Sequence, residues 1–384
     1  MNYKQSLSDL LAAHLPDVPP AEIFELLETP PDSAMGHFAY PCFKLAKALR
    51  KAPPVIAGEL AATLSTDPLR PDWLQEAKAV GPYVNLFLAR APFAQAVLSD
   101  VLSHADAYGG SLLGENRKIL IEYSSPNTAK HFHVGHFANT VIGRALVNIY
   151  RRLGYDVTSI NYLGDWGTQF GKLITAYLKW GSREEIERLG IDELNRLYVK
   201  FHDEAERDPS LNDEARAWVV RLQDGHEEGL SLWRWFCEMS MKDFNRVYDR
   251  LNVRFDEVSG ESLYSDKMDN VVRLLREQGL LAESDGAQIV DLEPYKMPPC
   301  LILRRDGGTL YPTRDIAAAI DRYERYQFEK SVYVTGNEQS LHFAQWMKVV
   351  ELMGYPWAKD INHVTYGLFV FETGKMSTDR KSVV

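Results

Sequence analysis

The sequence is poor in several features that would place it in a particular class of protein. Its 384 residues contain only three cysteines, Cys42, Cys237 and Cys300, which are odd in number and far apart. This excludes a disulfide framework and a zinc site built from several cysteines, and it suits a reducing cytosol. No apolar run approaches the ~18 residues that a membrane-spanning helix needs, so we expect neither a signal segment nor a span.

Positive charge is also scarce. Lysine and arginine total 43 against 53 aspartates and glutamates, for a formal net charge of −10. A general nucleic-acid binder is usually basic, so this balance argues against indiscriminate binding to phosphate backbones. What remains is the composition of a soluble globular protein, 45% hydrophobic and 25% charged. The length predicts two or three domains.

The first part of the chain mixes two kinds of pattern. Residues 1–112 combine helix-like apolar spacing with a strand-like VGPYVNLFL over 80–88, and they end near the pair Gly109-Gly110. Glycine pairs of this kind punctuate a chain between folded units. We therefore predict a small α+β domain over 1–112.

From Lys118 the pattern changes to that of an α/β domain. A short apolar run over 119–123, a helix over 134–153 and a second strand over 157–162 form a βαβ unit, which predicts a parallel sheet. Residues from about 181 to 260 are mostly charged and helical, with apolar positions at helical spacing. We predict a Rossmann-like parallel-sheet domain over 113–384 that carries this helical insertion.

Polar residues gather where the first of these strands ends and the next helix begins. Ser124-Ser125-Pro126-Asn127 follow the strand, and His133-Val134-Gly135-His136 open the helix. Ligands of an open parallel sheet bind beyond the carboxyl ends of its strands, and a helix start favours an anion. Two histidines three residues apart could donate to phosphate oxygens, with Gly135 admitting a nucleotide base. Alternatively, the two histidines are ordinary polar residues of a first helical turn with no ligand. A metal site would need more ligands than the neighbouring sequence supplies.

Longer strings around these residues resemble a known family. SSPNTAKHFHVGH followed by GDWGTQFG resembles the class I aminoacyl-tRNA synthetases, and within them the arginyl-tRNA synthetases. HVGH matches the HIGH signature, and KMST near the C-terminus is similar to the KMSKS loop. GHFAYPCFKLAKALRK and VGPYVNLFL look like the N-terminal additional domain of that family, while LYPTRDIAAA and GNEQSLHFAQWMKVVELMGY look like the second half of its catalytic domain. The resemblance covers essentially the whole chain.

The resemblance implies that ATP activates L-arginine to arginyl-adenylate, which is then transferred to tRNA-Arg. This chemistry requires positioning and neutralisation of triphosphate charge rather than a covalent enzyme intermediate. Catalytic roles are implied for Lys130, His133, His136 and Lys375. KMST lacks the second lysine of KMSKS, and the lysine ahead of HVGH is implied to replace it, with a solvated loop lysine as the alternative.

The nucleotide contacts are implied in the same way. They comprise His133, Gly135, His136, Gly164, Asp165, Lys375, Met376 and Ser377, with Gly164 and Asp165 near the ribose and Gln169 as a weaker candidate. For GDWG the alternative is a glycine turn anchored by a buried Trp166. We expect Mg²⁺ to accompany ATP, held by phosphates and water, and we assign it no protein ligand.

Recognition of a guanidinium group calls for a carboxylate and neutral acceptors in a fixed arrangement, because the group presents five planar donors. Asp315 is the best candidate carboxylate, and Tyr311 lies four residues earlier on the same helical face or turn. A carboxylate that stabilises a helix start is the alternative for Asp315. By resemblance the arginine-binding residues are Ser125, Asn127, His136, Tyr311, Asp315 and Gln339.

RNA contacts must come from local features. Lys44, Lys47 and Lys51 are spaced i, i+3, i+7 and would form a stripe on one helix face that follows phosphates, with a solvated face as the alternative. Tyr83 and Asn85 share one face of VGPYVNLFL. The resemblance implies that the tRNA D-loop binds there with a base stacked on Tyr83, although strand aromatics more often belong to a core.

Two features depart from the family pattern. GKMSTDRKSVV brings Asp379 and Ser382 into a loop that is usually basic and contains glycine, and an added acid there is electrostatically adverse. The chain stops at Val384, where the family continues into a helical anticodon-binding domain, so we expect weakened binding of tRNA-Arg. The leading hypothesis is a truncated arginine–tRNA ligase, monomeric and cytoplasmic, without a membrane partner. A shortened paralogue that transfers arginyl-adenylate elsewhere, or a non-catalytic RNA- or protein-binding descendant, are the alternatives.

Overall fold

The chain folds as two compact units, Met1–Gly109 and Gly110–Val384. The computed structural model describes residues 2–68, 70–305, 308 and 310–367, and the backbone alone of 370–371 and 374–375. Each unit has its own hydrophobic core.

The N-terminal unit is an α+β fold, as predicted. Its helices pack on a sheet through apolar residues such as Leu7 and Leu11, one turn apart on the first helix, and Val84 and Leu86 of the central strand. Its described strands are antiparallel, in the order β1-β3-β2. In chain order the elements are α1 (Tyr3–His14), α2 (Pro20–Leu26), β1 (Phe38–Pro41), α3 (Leu45–Leu49), α4 (Pro53–Thr66), β2 (Leu74–Val80), β3 (Tyr83–Leu88) and α5 (Arg90–His104).

Two predictions about this unit need correction. The single strand predicted over 80–88 is a hairpin, because Gly81 takes a φ of +58° and turns the chain so that Val80 pairs with Tyr83. The lysine stripe does not lie on one helix. Helix α3 ends at Leu49, Arg50 adopts the left-handed conformation, and Lys51 lies outside the helix. The pair Pro53-Pro54 starts a new helix there, and proline suits a first turn but not a helix interior.

The second unit is built on a parallel sheet, which confirms the Rossmann-like prediction. Among the described residues the strands are ordered β11-β10-β4-β5-β6, and every neighbouring pair is parallel. The elements are β4 (Lys118–Glu122), α6 (Val134–Arg152), β5 (Asp156–Leu163), α7 (Thr168–Trp180), α8 (Arg183–Leu189), α9 (Ile191–Arg207), α10 (Ser210–Gln223), α11 (Glu227–Arg250), β6 (Glu257–Gly260), α12 (Met268–Glu277), β7 (Ala282–Ser284), β8 (Ala287–Val290), β9 (Cys300–Leu303), α13 (Tyr311–Tyr326), β10 (Lys330–Gly336), α14 (Ser340–Leu352), β11 (Ile361–Tyr366), β12 (Val370–Phe371) and β13 (Gly374–Lys375).

Both faces of the parallel sheet are buried. Along β4, Leu120 joins one core, which contains Trp346 of α14. Its neighbours Ile119 and Ile121 join another core, which contains Val147 of α6. Successive side chains of a strand point to opposite faces, so a run that is apolar throughout belongs to a sheet covered on both sides. This is why the short apolar run of the sequence forms a central strand.

Helices α7 to α11 lie between β5 and β6 along the chain and account for most of the predicted insertion. The insertion ends earlier than the predicted residue 260, because Glu257–Gly260 pair with β5 as the edge of the parallel sheet. Strands β7, β8 and β9 form a separate antiparallel sheet within the described residues. No helix in the described part of the chain is long and apolar enough to cross a bilayer.

Candidate active site

A cavity of about 640 Å³ lies where the strand order of the parallel sheet reverses. Chain order proceeds outward from β4 through β5 and β6 on one side and from β10 to β11 on the other. A crevice therefore opens between the loops that follow β4 and β10, which is where ligands bind in doubly wound sheets. Its wall comprises Glu122, Ser124, Ser125, Asn127, His133, Val134, Gly135, His136, Asn139, Tyr162, Gly164, Glu261, Tyr311, Asp315, Thr335, Gly336, Glu338, Gln339, His342, Phe343 and Tyr366.

The HVGH segment forms the start of helix α6 at one side of this cavity. The Gly135 N–H donates to His133 Nδ1 at 3.1 Å, and the His133 N–H donates to His136 Nδ1 at 3.3 Å. These bonds form a capping box that satisfies free amides of the first turn. The two imidazole rings stack with their centroids 3.7 Å apart.

This cap determines which ring nitrogens can serve a ligand. Because each Nδ1 accepts a backbone N–H, the neutral ring carries its proton on Nε2. Burial, with the charge of Lys130, lowers the pKa of His133. Burial, His133 and Lys130 lower the pKa of His136 to about 3. The histidines are therefore neutral N–H donors next to the positive end of a helix dipole, an arrangement that suits phosphate oxygens.

The cavity wall also carries acidic side chains with basic partners. His342 Nε2 lies 2.6 Å from Asp315 Oδ2, and Arg314 Nη1 lies 2.6 Å from Glu261 Oε2. Deeper in the protein, Arg322 Nη1 lies 2.5 Å from Glu122 Oε2, with 1% of the arginine side chain exposed. Paired carboxylates at the wall of a cavity suit a cationic ligand group that can compete for them.

Glu261 has an unusual proton affinity for a carboxylate. Burial raises its pKa to about 7, Arg314 acts in the opposite direction, and the charges of Asp315 and Asp165 raise it further. A guanidinium beside Glu261 would favour its ionised form.

The SSPN loop between β4 and α6 is held in an uncommon backbone conformation. Ser124 and Ser125 have φ values of +71° and +46°, which few residues other than glycine adopt. Asn139 Oδ1 accepts the N–H of Ser124 at 2.6 Å, and Asn161 Oδ1 accepts that of Ser125 at 3.1 Å. Such conformations persist when the surroundings determine them and are common at ligand sites.

Gly164 completes this part of the wall. A Cβ built on Gly164 would lie 1.9 Å from Asn127 Oδ1, so only glycine allows the amide to lie there. The Gly164 carbonyl accepts Thr128 N–H and Gln169 Nε2–H. The glycine therefore joins the SSPN and GDWG loops.

The structure brings most of the predicted small-molecule residues to one cavity. Ser125, Asn127, His133, Gly135, His136, Gly164, Tyr311, Asp315 and Gln339 all line it. Three predicted residues are not on the described wall: Asp165, Lys130 and the weaker candidate Gln169, which bonds to the Gly164 carbonyl. Asp165 is 8% exposed and bonds to Ser262, and the Lys130 Nζ lies 5.8 Å from the ring centroid of Tyr198. The side chain of Lys375, and Met376 and Ser377 as a whole, lie outside the described residues.

The predicted RNA-binding residues lie in the N-terminal unit. Lys44 pairs with Glu22 at 3.1 Å and Lys51 with Glu59 at 2.7 Å, while Lys47 is exposed. Tyr83 is half-buried and packs edge-on against exposed Phe43. Asn85 is buried, and within the described chain its Nδ2 has no hydrogen-bond partner.

Several wall residues were not predicted from the sequence. Glu122 ends β4, so its place at the carboxyl end of a strand was a usable signal. Glu261 follows β6, a strand too short to stand out beside the helical insertion. His342 and Tyr162 reach the wall only through tertiary folding, and no local motif marks them.

The chain matches known protein families over most of its length. The family described as tRNA synthetases class I (R), catalytic domain, matches residues 97–384, and the arginyl tRNA synthetase N terminal domain matches residues 2–88. Arginine–tRNA ligases of Alkaliphilus metalliredigens and Clostridioides difficile are each 52% identical over 383 residues. Those alignments cover 100% of this chain and 67% of the relatives.

Solved structures share the fold. The arginyl-tRNA synthetase of Thermus thermophilus superposes with a TM-score of 0.68 at 24% identity, covering 97% of this chain and 67% of that one. The Plasmodium falciparum enzyme gives 0.67 at 21% identity, with 95% and 64% covered. With the matched domains and the close relatives, these results show that the chain belongs to the arginyl-tRNA synthetase family of class I aminoacyl-tRNA synthetases.

Proposed function

We propose that the protein is an arginine–tRNA ligase that activates L-arginine with ATP and transfers it to tRNA-Arg. The observation that carries this proposal is one cavity with two chemically different sides. Neutral histidine N–H donors and a helix start suit a triphosphate. Asp315 and Glu261 on the same wall suit a guanidinium.

The first step forms a bond between an arginine carboxylate oxygen and the α-phosphorus of ATP, and it breaks the bond to the β-phosphate, so that pyrophosphate leaves. His133 and His136 would stabilise charge on the phosphates through Nε2–H groups that the cap already orients. Asn127 and Ser125 would hold the amino-acid end, while Tyr311 and Gln339 complete the guanidinium side. Lys130 and Lys375 would neutralise charge on the triphosphate, and the neighbouring KMST residues Met376 and Ser377 would contact the nucleotide.

Magnesium would enter this site with ATP. The described residues contain no cluster of three or more histidine, cysteine, aspartate or glutamate side chains suited to a metal ion. Asp315, Glu261 and Glu122 are each paired with a basic side chain. We therefore derive no step from a metal held by the protein, and the ATP phosphates and water would coordinate it.

The proposal is tested by arginine-dependent ATP–pyrophosphate exchange, measured with and without tRNA-Arg. We expect exchange that requires arginine and appears with tRNA-Arg present. Exchange without tRNA would favour an adenylate-forming paralogue with another acceptor. No exchange in either condition, together with no calorimetric binding of L-arginine, would contradict the proposal.

The raised pKa of Glu261 predicts how arginine binding depends on pH. Because a guanidinium favours the ionised carboxylate, we expect arginine affinity to increase as pH rises through about 7 and then level off. Below that range affinity should fall by up to about tenfold per pH unit. Calorimetric titrations of L-arginine between about pH 5.5 and 8.5 would measure this.

The stability of the unliganded protein should depend on pH in the opposite sense, decreasing as pH rises. The folded pKa of Glu261 is above its ordinary value, so its contribution to stability is present at low pH and is lost as pH rises through about 7. The control is Glu261→Gln, in which both the binding trend and this part of the stability trend should disappear. A pH dependence of binding that persists in Glu261→Gln would assign it to another group.

Binding of tRNA by the N-terminal unit provides a separate test. We propose that an unstacked base of tRNA-Arg stacks on Tyr83. The buried Asn85 amide would reach the RNA only if the side chains that cover it moved. Tyr83→Ala should weaken tRNA-Arg binding by roughly tenfold or more, because a stacked base contributes ~1–3 kcal/mol. Tyr83→Phe retains the ring and should bind normally in filter or fluorescence assays. Equal loss in both variants would point to the hydroxyl instead.

The lysines of the N-terminal unit would contribute less to tRNA binding than Tyr83. Lys44, Lys47 and Lys51 would contact phosphates individually rather than as one helical stripe, and Lys44 and Lys51 would first have to leave their glutamate partners.

A further inference from the structure

We propose that Asp165 is a positioning residue of the arginine site, acting through Glu261, rather than a ribose contact. This inference rests on the proposed arginine activity. The carboxylate of Asp165 would hold the turn after β6 so that Glu261 faces the cavity at the guanidinium side.

Within the described residues, the side-chain hydrogen bonds of Asp165 lead to this turn. Ser262 donates its backbone N–H to Asp165 Oδ1 at 2.8 Å and its hydroxyl to Oδ2 at 2.7 Å. Ser262 directly follows Glu261, whose side chain reaches the cavity wall. Two bonds to the next residue restrict the backbone at Glu261, so the position of its carboxylate depends on them.

The turn is shaped to accept the Asp165 carboxylate. A Cβ built on Gly260 would lie 2.4 Å from the Asp165 carboxyl atoms, so a larger residue there would displace the carboxylate. On the other side, Trp233 Nε1 donates to the Asp165 carbonyl at 2.6 Å. Trp233 belongs to α11, so a helix of the insertion also fixes the backbone of Asp165 through this hydrogen bond.

A ribose contact would require a different arrangement. Both carboxylate oxygens of Asp165 already accept hydrogen bonds, and the residue is not on the described part of the cavity wall. A ribose hydroxyl would have to displace Ser262, which would release the turn that carries Glu261.

The test is calorimetric binding of L-arginine and, separately, of ATP with Mg²⁺ to the whole chain. Asp165→Ala should weaken arginine binding on the order of tenfold, as expected when a binding group loses its support, and should leave ATP binding within about twofold. Ser262→Ala removes only one of the two bonds and should show a smaller loss for arginine. It also provides a milder variant if Asp165→Ala folds poorly in thermal unfolding.

The chain contains a matched control. Asp256, just before β6, accepts hydrogen bonds from the N–H and the hydroxyl of Ser159 at 2.7 and 2.6 Å, as Asp165 does from Ser262. Asp256 is not on the described cavity wall. Asp256→Ala should lower thermal stability and leave arginine affinity unchanged. A second control is the double variant Asp165→Ala/Glu261→Gln. If Asp165 acts through Glu261, the double variant should bind arginine no more than about twofold more weakly than Glu261→Gln alone.

The following results would overturn the inference. Weaker ATP binding with intact arginine binding would make Asp165 a ribose contact. Equal losses of arginine binding in Asp165→Ala and Asp256→Ala would reflect general destabilisation, and additive losses in the double variant would exclude action through Glu261. Failure of the unaltered protein to bind arginine would refute the proposed function itself, which is distinguishable because no variant is involved.

Discussion

Replacing Asp315 by alanine is expected to remove arginine-dependent ATP–pyrophosphate exchange at arginine concentrations near the KM of the unaltered protein. Asp315 lines the cavity, and its Oδ2 pairs with His342, so Oδ1 can accept a guanidinium N–H. Removing the carboxylate from a partly buried pair with the substrate guanidinium costs ~3–5 kcal/mol, roughly 10²–10⁴-fold in kcat/KM for arginine. Exchange assays over a range of arginine concentrations would measure this, and most of the loss should appear as a raised KM.

A control for Asp315 lies on the same helix. Asp321 pairs with Lys267 at 2.5 Å and with Arg325 at 3.1 Å, and it is not among the described residues of the cavity wall. Asp321→Asn should lower stability and leave the KM for arginine unchanged. Exchange at the normal arginine concentration in Asp315→Ala would refute its assignment as the guanidinium acceptor.

Replacing His136 should have an effect of similar size but on kcat. If its Nε2–H stabilises charge that develops on the phosphates, then His136→Ala should lower kcat by roughly 10²–10³-fold. The capping bond from His133 N–H would also be lost, at a cost of about 1 kcal/mol in stability. Single-turnover adenylate formation would measure the chemical step directly.

Two further variants separate these roles of His136. Asparagine places an acceptor near the position of Nδ1, so His136→Asn should preserve the cap and still lose kcat. Glutamine extends an N–H donor towards the position of Nε2 and should recover part of the rate. Full activity in His136→Asn would show that the cap alone matters.

The proton affinity of His136 adds a test by pH. Because its pKa is lowered to about 3, His136 stays neutral between about pH 5 and 8. Its titration should therefore cause no change in kcat/KM for ATP over that range. With arginine saturating, a fall in activity as pH rises through about 6.5 would instead indicate a charged imidazolium donor.

Local sequence was sufficient to identify the parallel sheet, the helix start at HVGH and the loops around it. These features depend on residues that are close along the chain: an apolar run flanked by polar turns, and a cap whose donors and acceptors are two or three residues apart. The same reasoning failed for the lysine stripe, although Pro53-Pro54 was a visible signal that one helix must end and another begin.

The sequence by itself determined the family, the class of fold and the histidine-lined end of the cavity, because contiguous motifs encode these features. Only the tertiary structure decided how the acidic end is built. Glu122, Glu261 and Asp315 come from three separate places in the chain, and the strand order of the sheet brings them to one wall. Their partners and the raised pKa of Glu261 depend on burial and on charges distant in sequence. For the same reason, the hydrogen bonds from Ser262 to Asp165 depend on the pairing of β6 with β5, which brings together residues far apart in the chain.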